Sequence, residues 1–389
     1  MIEALLSPVH ILSYGELSAQ ELKMIASFVS RKPDELTLAV VADNAPIPAK
    51  EELIGELGKI ATVHRYKKVQ PNPTTTDIME MFGDPTFKDI DVIIGIGGGS
   101  TLDSAKALAM LATNRGEIEE YLGNKPKRTI IQASLPLILI PTTAGTGSEV
   151  TRVGVYTDST GRKHTLGSPL MMARAAVLVA SLLDSVPPSL CAATGLDALD
   201  HALESIWNKN ATPQTRIIAQ RAAIEILETL PRLYRAVQQN NWDKRELITK
   251  MLLASTKAGI AFNLTGTAAG HAISFVLSEE WNVPHGMACA FSLLELFDWA
   301  IADPTIHSEL AVIGKHFHPE SDAETAVSAL RNDLHALLTE FEIPVDFPAL
   351  GVVLDDPAVF DRAMDDPKLH NQLPPLSKED LHALIGAKR

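Results

Sequence analysis

An apolar strand pattern that runs straight into a cluster of glycines and then a helix constrains this chain more than any other feature. The run DVIIGIGGGSTLDSAK places Gly95, Gly97, Gly98, Gly99 and Ser100 between the two elements. Glycines let the backbone approach a ligand with no Cβ in the way. The helix N-terminus then offers free N–H groups and a positive dipole end to an anion, and a pyrophosphate is the anion it suits. The run departs from G-x-G-x-x-G, because Ser100 stands where the third glycine would be and no acid follows about 20 residues on. A tight turn that binds nothing is the plainer alternative.

The surrounding sequence alternates in the same way. Leu36–Asp43 and Asp91–Gly97 read as buried strands, Lys67–Thr74 as a short extended piece broken by two prolines, and Leu135–Ile140 as a strand stopped by Pro141. Thr101–Thr113 reads as the helix after the glycines. Such alternation predicts an α/β fold with a parallel sheet covered on both faces. Beyond Pro187-Pro188 helical periodicity takes over, and neither proline continues an element. The expected organisation is an α/β domain over 1–187 and an all-α domain over 188–389, with a ligand in the cleft between them. No fixed-period repeat is present.

Charge narrows the partners. Against 34 basic residues stand 48 acidic ones, a net charge of -14. An acidic surface repels phosphate backbones and anionic lipid, so neither nucleic acid nor membrane is an expected partner. No apolar run approaches the roughly 20 residues that span a bilayer. The first residues carry Glu3 and no basic stretch, so a secretory signal is not expected and the chain reads as cytoplasmic. The two cysteines, Cys191 and Cys289, lie in apolar helical contexts and read as small packing residues.

Several residues are candidates for chemistry. Asp43 ends a strand, where a carboxylate can accept from a ribose 2′-OH; an Asx turn with Asn44 is the alternative. PTTAGTGSEVT (Pro141–Thr151) follows the next strand with small residues and hydroxyls, suited to a second ligand wall or to a plain turn. In GLDALDHALES, Asp197 and His201 stand at i and i+4 on one helix face, either as joint ligands of a cation or as a simple ion pair. His271 lies in a Gly/Ala/Ile setting, and His285 in Pro-His-Gly, which reads as a turn. The other histidines show no comparable pairing. One acid and three imidazoles suit Fe(II), while Zn, Ni or Co could use the same donors. Such a cation acts as a Lewis acid on an alcohol or aldehyde oxygen while a nicotinamide carries the hydride.

Taken in order, VVADNA, VQPNPTTTDIM, GIGGGSTLDSAK, PTTAGTGSEVT, RKHTLGSP, GLDALDHALES, ASTKAGIAFN and NVPHG resemble the iron-dependent (group III) alcohol dehydrogenases over nearly the whole chain. The resemblance implies a Rossmann-like dinucleotide-binding domain followed by a helical domain of the dehydroquinate synthase type. It implies Fe2+ (or Zn2+ or another divalent transition metal) held by Asp197, His201, His271 and His285. It implies a pyrophosphate loop at Gly97, Gly98, Gly99 and Ser100, with Asp103 as the acid of the same motif. It implies a second cofactor wall at Thr142, Thr143 and Gly145–Ser148, Lys163 reaching the nicotinamide ribose, and Asp43 favouring NAD over NADP. A small alcohol or aldehyde is then the substrate, and a homodimer the assembly.

Departures from the family pattern matter too. Many members carry another His four residues after the third ligand, where this chain has Phe275. MMARAAVLVASLL lacks the Pro and Asp that many members place before the domain boundary. GHAIS, with no second His, resembles the phosphonoacetaldehyde reductase branch, whose substrate needs a cationic side chain; Arg152 is a candidate, or a plain surface arginine. Dehydroquinate synthase and glycerol dehydrogenase relatives share the two-domain plan but are disfavoured by GLDALDHALES together with PHG. A nucleotide sensor without chemistry, or a metal-free maleylacetate-reductase-like enzyme, predicts broken ligand positions, and the four positions are intact.

Overall fold

The computed structural model describes residues 7–32, 35–123, 125–241 and 244–389. They fall into two compact units, Met1–Val186 with Trp242–Leu253, and Pro187–Asn241 with Ala254–Arg389.

The first unit is built on a six-stranded, all-parallel sheet. Its strands are β1 (His10–Tyr14), β2 (Thr37–Ala42), β3 (Thr62–Tyr66), β4 (Val92–Gly97), β5 (Leu137–Pro141) and β8 (Ala175–Val179). They are ordered β1-β8-β5-β4-β2-β3. The central strands β4, β5 and β8 are buried along their whole length, which explains their unbroken apolar sequences. Helices α1 (Ala19–Ser30), α2 (Pro48–Leu57), α3 (Thr75–Phe82) and α4 (Gly99–Leu111) alternate with the strands. A separate antiparallel hairpin joins β6 (Val153–Thr157) to β7 (Lys163–Gly167).

The sheet contains strands that the sequence pattern does not announce. Lys67–Thr74 forms no strand, only an isolated bridge from Thr74 to Thr157, since its two prolines cannot donate to a ladder. The edge strand lies just before it, at β3, where TVHRY mixes charged and apolar residues. β5 also continues onto Pro141 rather than ending before it.

The second unit is helical: α5 (Pro188–Ile206), α6 (Pro213–Gln238), the later part of α7 (Lys244–Thr265), α8 (Ala269–Trp281), α9 (His285–Phe291), α10 (Leu293–Ala300), α11 (Pro304–Phe317), α12 (Ala323–Glu340) and α13 (Lys378–Gly386). Ile273, Val276 and Leu277 of α8 pack with Phe291, Phe347 and Phe360 in one apolar core. Among the described residues no single helix is long and apolar enough to cross a membrane. The bent pair α7 and α8, at 102°, meets that test by length and composition only.

Candidate active site

From Gly195 to Ile206, helix α5 is buried on every side. Leu196, Ala198, Leu199, Ala202 and Leu203 have no exposed surface, yet Asp197, Asp200, His201 and Glu204 are buried among them. Their spacing of three, four and seven residues from Asp197 lines them along one helix face. Buried charge needs partners, and the neighbouring helices supply imidazoles.

His271 comes from the first turn of α8 and His285 from the first residue of α9. Pro-His-Gly is therefore a helix start rather than a turn: Pro284 occupies the N-cap, and Gly286 serves close packing. A Cβ on Gly286 would lie 2.1 Å from the Ala193 carbonyl oxygen, so only glycine lets α9 press its backbone onto α5.

The donors converge on Asp197. Its Oδ1 lies 3.6 Å from His271 Nε2, 3.7 Å from His285 Nε2 and 3.9 Å from His201 Nδ1. These separations are too long for hydrogen bonds. Asp197 Oδ1 and His271 Nε2 are both buried with no hydrogen-bond partner. Ligand atoms around one four-coordinate cation stand about 3.4 Å apart, given bonds of about 2.1 Å. An orphaned carboxylate oxygen, an orphaned imidazole nitrogen and this spacing fit a divalent cation. His201 is clamped between Phe262, with centroids 4.1 Å apart, and His271, 4.4 Å apart.

Behind His271 lies a second acidic layer. His271 Nδ1 is 2.8 Å from Glu204 Oε2 and 3.2 Å from Asp200 Oδ2. A carboxylate at Nδ1 fixes the proton there and turns the Nε2 lone pair towards Asp197. Glu204 Oε2 also accepts from the Ala268 backbone N–H at 2.6 Å. Burial pushes the Asp197 carboxyl up, but His201, His271 and His285 outweigh it and hold it below the usual range. For Asp200, burial and the Glu204 charge both push up, to about 7. Burial opposes a charge on His271, yet Cys289, Glu204, Asp197 and Asp200 raise it well above its ordinary value. The field at this point favours positive charge.

Asp200, Glu204 and Cys289 were not candidates from sequence. The first two complete the polar stripe that Asp197 and His201 begin, a signal present in the spacing. Cys289 is hidden in the apolar run MACAF, but its position four residues after His285 was readable.

The glycine loop belongs to the first unit. Gly98 is the N-cap of α4, which has no side-chain cap. A Cβ on Gly97 would lie 2.3 Å from Thr101 Oγ1 and 2.6 Å from Asp43 Oδ2, so glycine is required there by packing. Thr142 donates its backbone N–H to Gly97 O at 3.0 Å, which sets the Thr142–Thr143 loop beside the glycines at the carboxyl ends of β4 and β5. Ser100 Oγ accepts from the Asn72 backbone N–H at 3.2 Å. Asp43 is already engaged. Oδ1 takes the buried Lys50 ammonium at 2.6 Å and the Ala45 N–H at 3.0 Å, and Oδ2 takes the Thr101 hydroxyl at 2.8 Å.

Asp103 and Ser148 are tied inward. Ser148 Oγ donates to Asp103 Oδ1 at 2.7 Å, and the Val155 N–H donates to Asp103 Oδ2 at 2.9 Å. Lys106 donates to Ser148 Oγ, Thr151 Oγ1 and the Val153 carbonyl at 2.8, 3.0 and 2.6 Å. This network fixes α4 to the second loop and the hairpin. Lys163 begins β7, paired in register with Thr157, and Arg152 is exposed.

Comparison with known proteins bears on both units. The family model described as iron-containing alcohol dehydrogenase matches residues 16–180. The model for the C-terminal part of the Fe-containing alcohol dehydrogenase family matches residues 191–388. The chain belongs to the iron-containing alcohol dehydrogenase family. Alcohol dehydrogenase 4 of Schizosaccharomyces pombe is 34% identical over 317 residues, 78% of this chain and 70% of that protein. Sulfoacetaldehyde reductase of Bilophila wadsworthia is 34% identical over 336 residues, 83% of each. The crystal structure of sulfoacetaldehyde reductase from Bifidobacterium kashiwanohense in complex with NAD+ superposes with a TM-score of 0.85 at 28% identity, covering 98% of this chain and 97% of that one. This iron-containing alcohol dehydrogenase is an oxidoreductase that interconverts alcohols and aldehydes.

Within this dehydrogenase, Phe275 lies one helical turn after His271, its ring 6.2 Å from that of His285. The Lys368 ammonium stands 3.9 Å over the Phe275 ring.

Proposed function

We propose that the enzyme is an NAD(H)-linked reductase of small aldehydes, working in reverse on primary alcohols, with Fe2+ (or Zn2+) held by Asp197, His201, His271 and His285. The convergence of three imidazoles within 3.9 Å of Asp197 Oδ1 carries this reading. When bound, the cation supplies Lewis acidity toward the substrate oxygen and the nicotinamide supplies or accepts the hydride. The protein's own part is positional. Glu204 holds the proton on His271 Nδ1, the apolar flanks of α5 exclude water, and Phe275 gives an apolar wall with no proton relay.

In the first unit, Gly97, Gly98, Gly99 and Ser100 receive the pyrophosphate, with Thr142 and Thr143 as the facing wall and Lys163 directed to the nicotinamide ribose. Asp43 favours NAD by repelling a 2′-phosphate. Asp103 and Ser148 hold these loops in shape through Lys106. The first unit is thus the dinucleotide domain and the second the catalytic one. The enzyme acts in the cytoplasm as a homodimer, the commonest closed assembly.

A second reading concerns substrate. Lys368, over Phe275 and ion-paired with Asp366 at 3.0 Å, would have to exchange that partner for the anion of an aldehyde that carries a sulfonate or phosphonate; the sulfoacetaldehyde reductase relative supports the sulfonate. Purified enzyme loaded with Fe2+ or Zn2+ and screened for NADH oxidation with propanal, sulfoacetaldehyde and phosphonoacetaldehyde separates the two. A higher kcat/KM for the anionic aldehydes, lost in Lys368→Met through KM, selects the second reading. Equal or better use of propanal selects the first, and no oxidation of NADH with any aldehyde contradicts both.

A further inference from the structure

We propose that Cys289 is a sulfur donor to the cation centre, so that the site is a mixed nitrogen, oxygen and sulfur site rather than one of imidazole and carboxylate alone. The inference rests on the reading of Asp197 and the histidines as a cation site. Cys289 lies one turn after His285 on α9, which places both side chains on the same helix face. Its Sγ is 3.8 Å from His285 Nε2 and 3.9 Å from Nδ1, so the thiol rests in weak hydrogen-bonding contact with that ring. One ligand atom from each of Asp197, His271, His285 and Cys289 lies within 4.8 Å of the others. With Asp197 and the three histidines, the sulfur would be a fifth donor; bonds of about 2.3 Å to sulfur and about 2.1 Å to nitrogen at the wide angles of a five-coordinate centre set the two atoms about 3.8 Å apart. The observed separation from His285 Nε2 matches that spacing. Cys289 has no exposed surface, so the thiol is held at this point rather than turned in from solvent.

The chemistry would be deprotonation and coordination: Cys289 would give its S–H proton to buffer and keep the electron pair that it offers to a cation. No electron is transferred. A thiolate in the set favours softer cations such as Zn2+, Fe2+ and Co2+ over Mg2+ and Mn2+.

Loading the full chain with Co2+ and recording its absorption spectrum tests the assignment. The expected spectrum combines visible ligand-field bands with an intense near-ultraviolet sulfur-to-cobalt charge-transfer band. That band is lost in Cys289→Ser, while the visible bands remain. It is kept in Cys191→Ser, which assigns it even if the Cys289 variant folds poorly, because the chain has two cysteines. Visible bands without the near-ultraviolet band, or a band that survives in Cys289→Ser, overturns the sulfur assignment and leaves the cation site standing. Absence of any cobalt spectrum overturns both.

Discussion

Glu204 sits 2.8 Å behind His271 and shows how one side chain can govern another's chemistry. A carboxylate partner fixes which imidazole nitrogen is free to bind a cation. Glu204→Gln is expected to weaken cation affinity about 10- to 100-fold, measured by competition with a chromophoric chelator; unchanged affinity removes that role. Asp43 has two duties, since it also faces the fully buried Lys50. Asp43→Gly is expected to relax the preference for NAD over NADP, read as the ratio of kcat/KM values. It is also expected to lower stability by roughly 1–3 kcal/mol, because Lys50 loses a charged partner. An unchanged ratio rejects the ribose role whatever the stability. At this scale, sequence was informative where spacing carries geometry. Asp197 and His201 share a face at i, i+4, and the structure puts them 3.9 Å apart. It was silent where partners lie far apart in the chain, as for Glu204 with His271 or Lys106 with Thr151.

Elements explain why some of the fold was easy to read and some was not. Strands β2, β4 and β5 are buried on both faces, so their apolar runs stand out. β1 and β3 are sheet edges, half in solvent, and their mixed sequences do not. The Pro-His-Gly segment carries turn residues for other reasons: Pro284 starts a helix, and Gly286 lets two backbones touch. Gly286→Ala is expected to push α9 off α5 and to reduce cation occupancy with little change in NADH binding. Full occupancy in that variant contradicts the packing argument. Lys106 makes the pH dependence of the first unit testable. Burial pulls its ammonium down to about 8. Unfolded, it titrates near 10.4, so between these values the unfolded chain binds more protons and the penalty of burying the charge shrinks as pH rises. The stability of the native protein relative to Lys106→Met is expected to rise by up to about 3 kcal/mol from pH 8 to pH 10.4, measured by denaturant unfolding. A difference that stays flat or falls contradicts the burial of a charged ammonium at this point.

For the whole molecule, the division into a parallel α/β unit and a helical unit was legible because the period of the apolar pattern changes near Pro187. The assignment of part of α7 to the first unit was not, since a single continuous helix gives no sequence break. Three buried acids, Asp197, Asp200 and Glu204, lie within one unit, and a bound cation offsets their repulsion. The measurement that tests this most directly is metal content per chain alongside turnover, for the native enzyme and for His271→Ala. One equivalent of divalent metal with NADH-dependent aldehyde reduction is expected in the native enzyme. Both are expected to be lost in the variant while NADH still binds. Undiminished turnover in His271→Ala, or native turnover with no metal present, contradicts the cation-centred site.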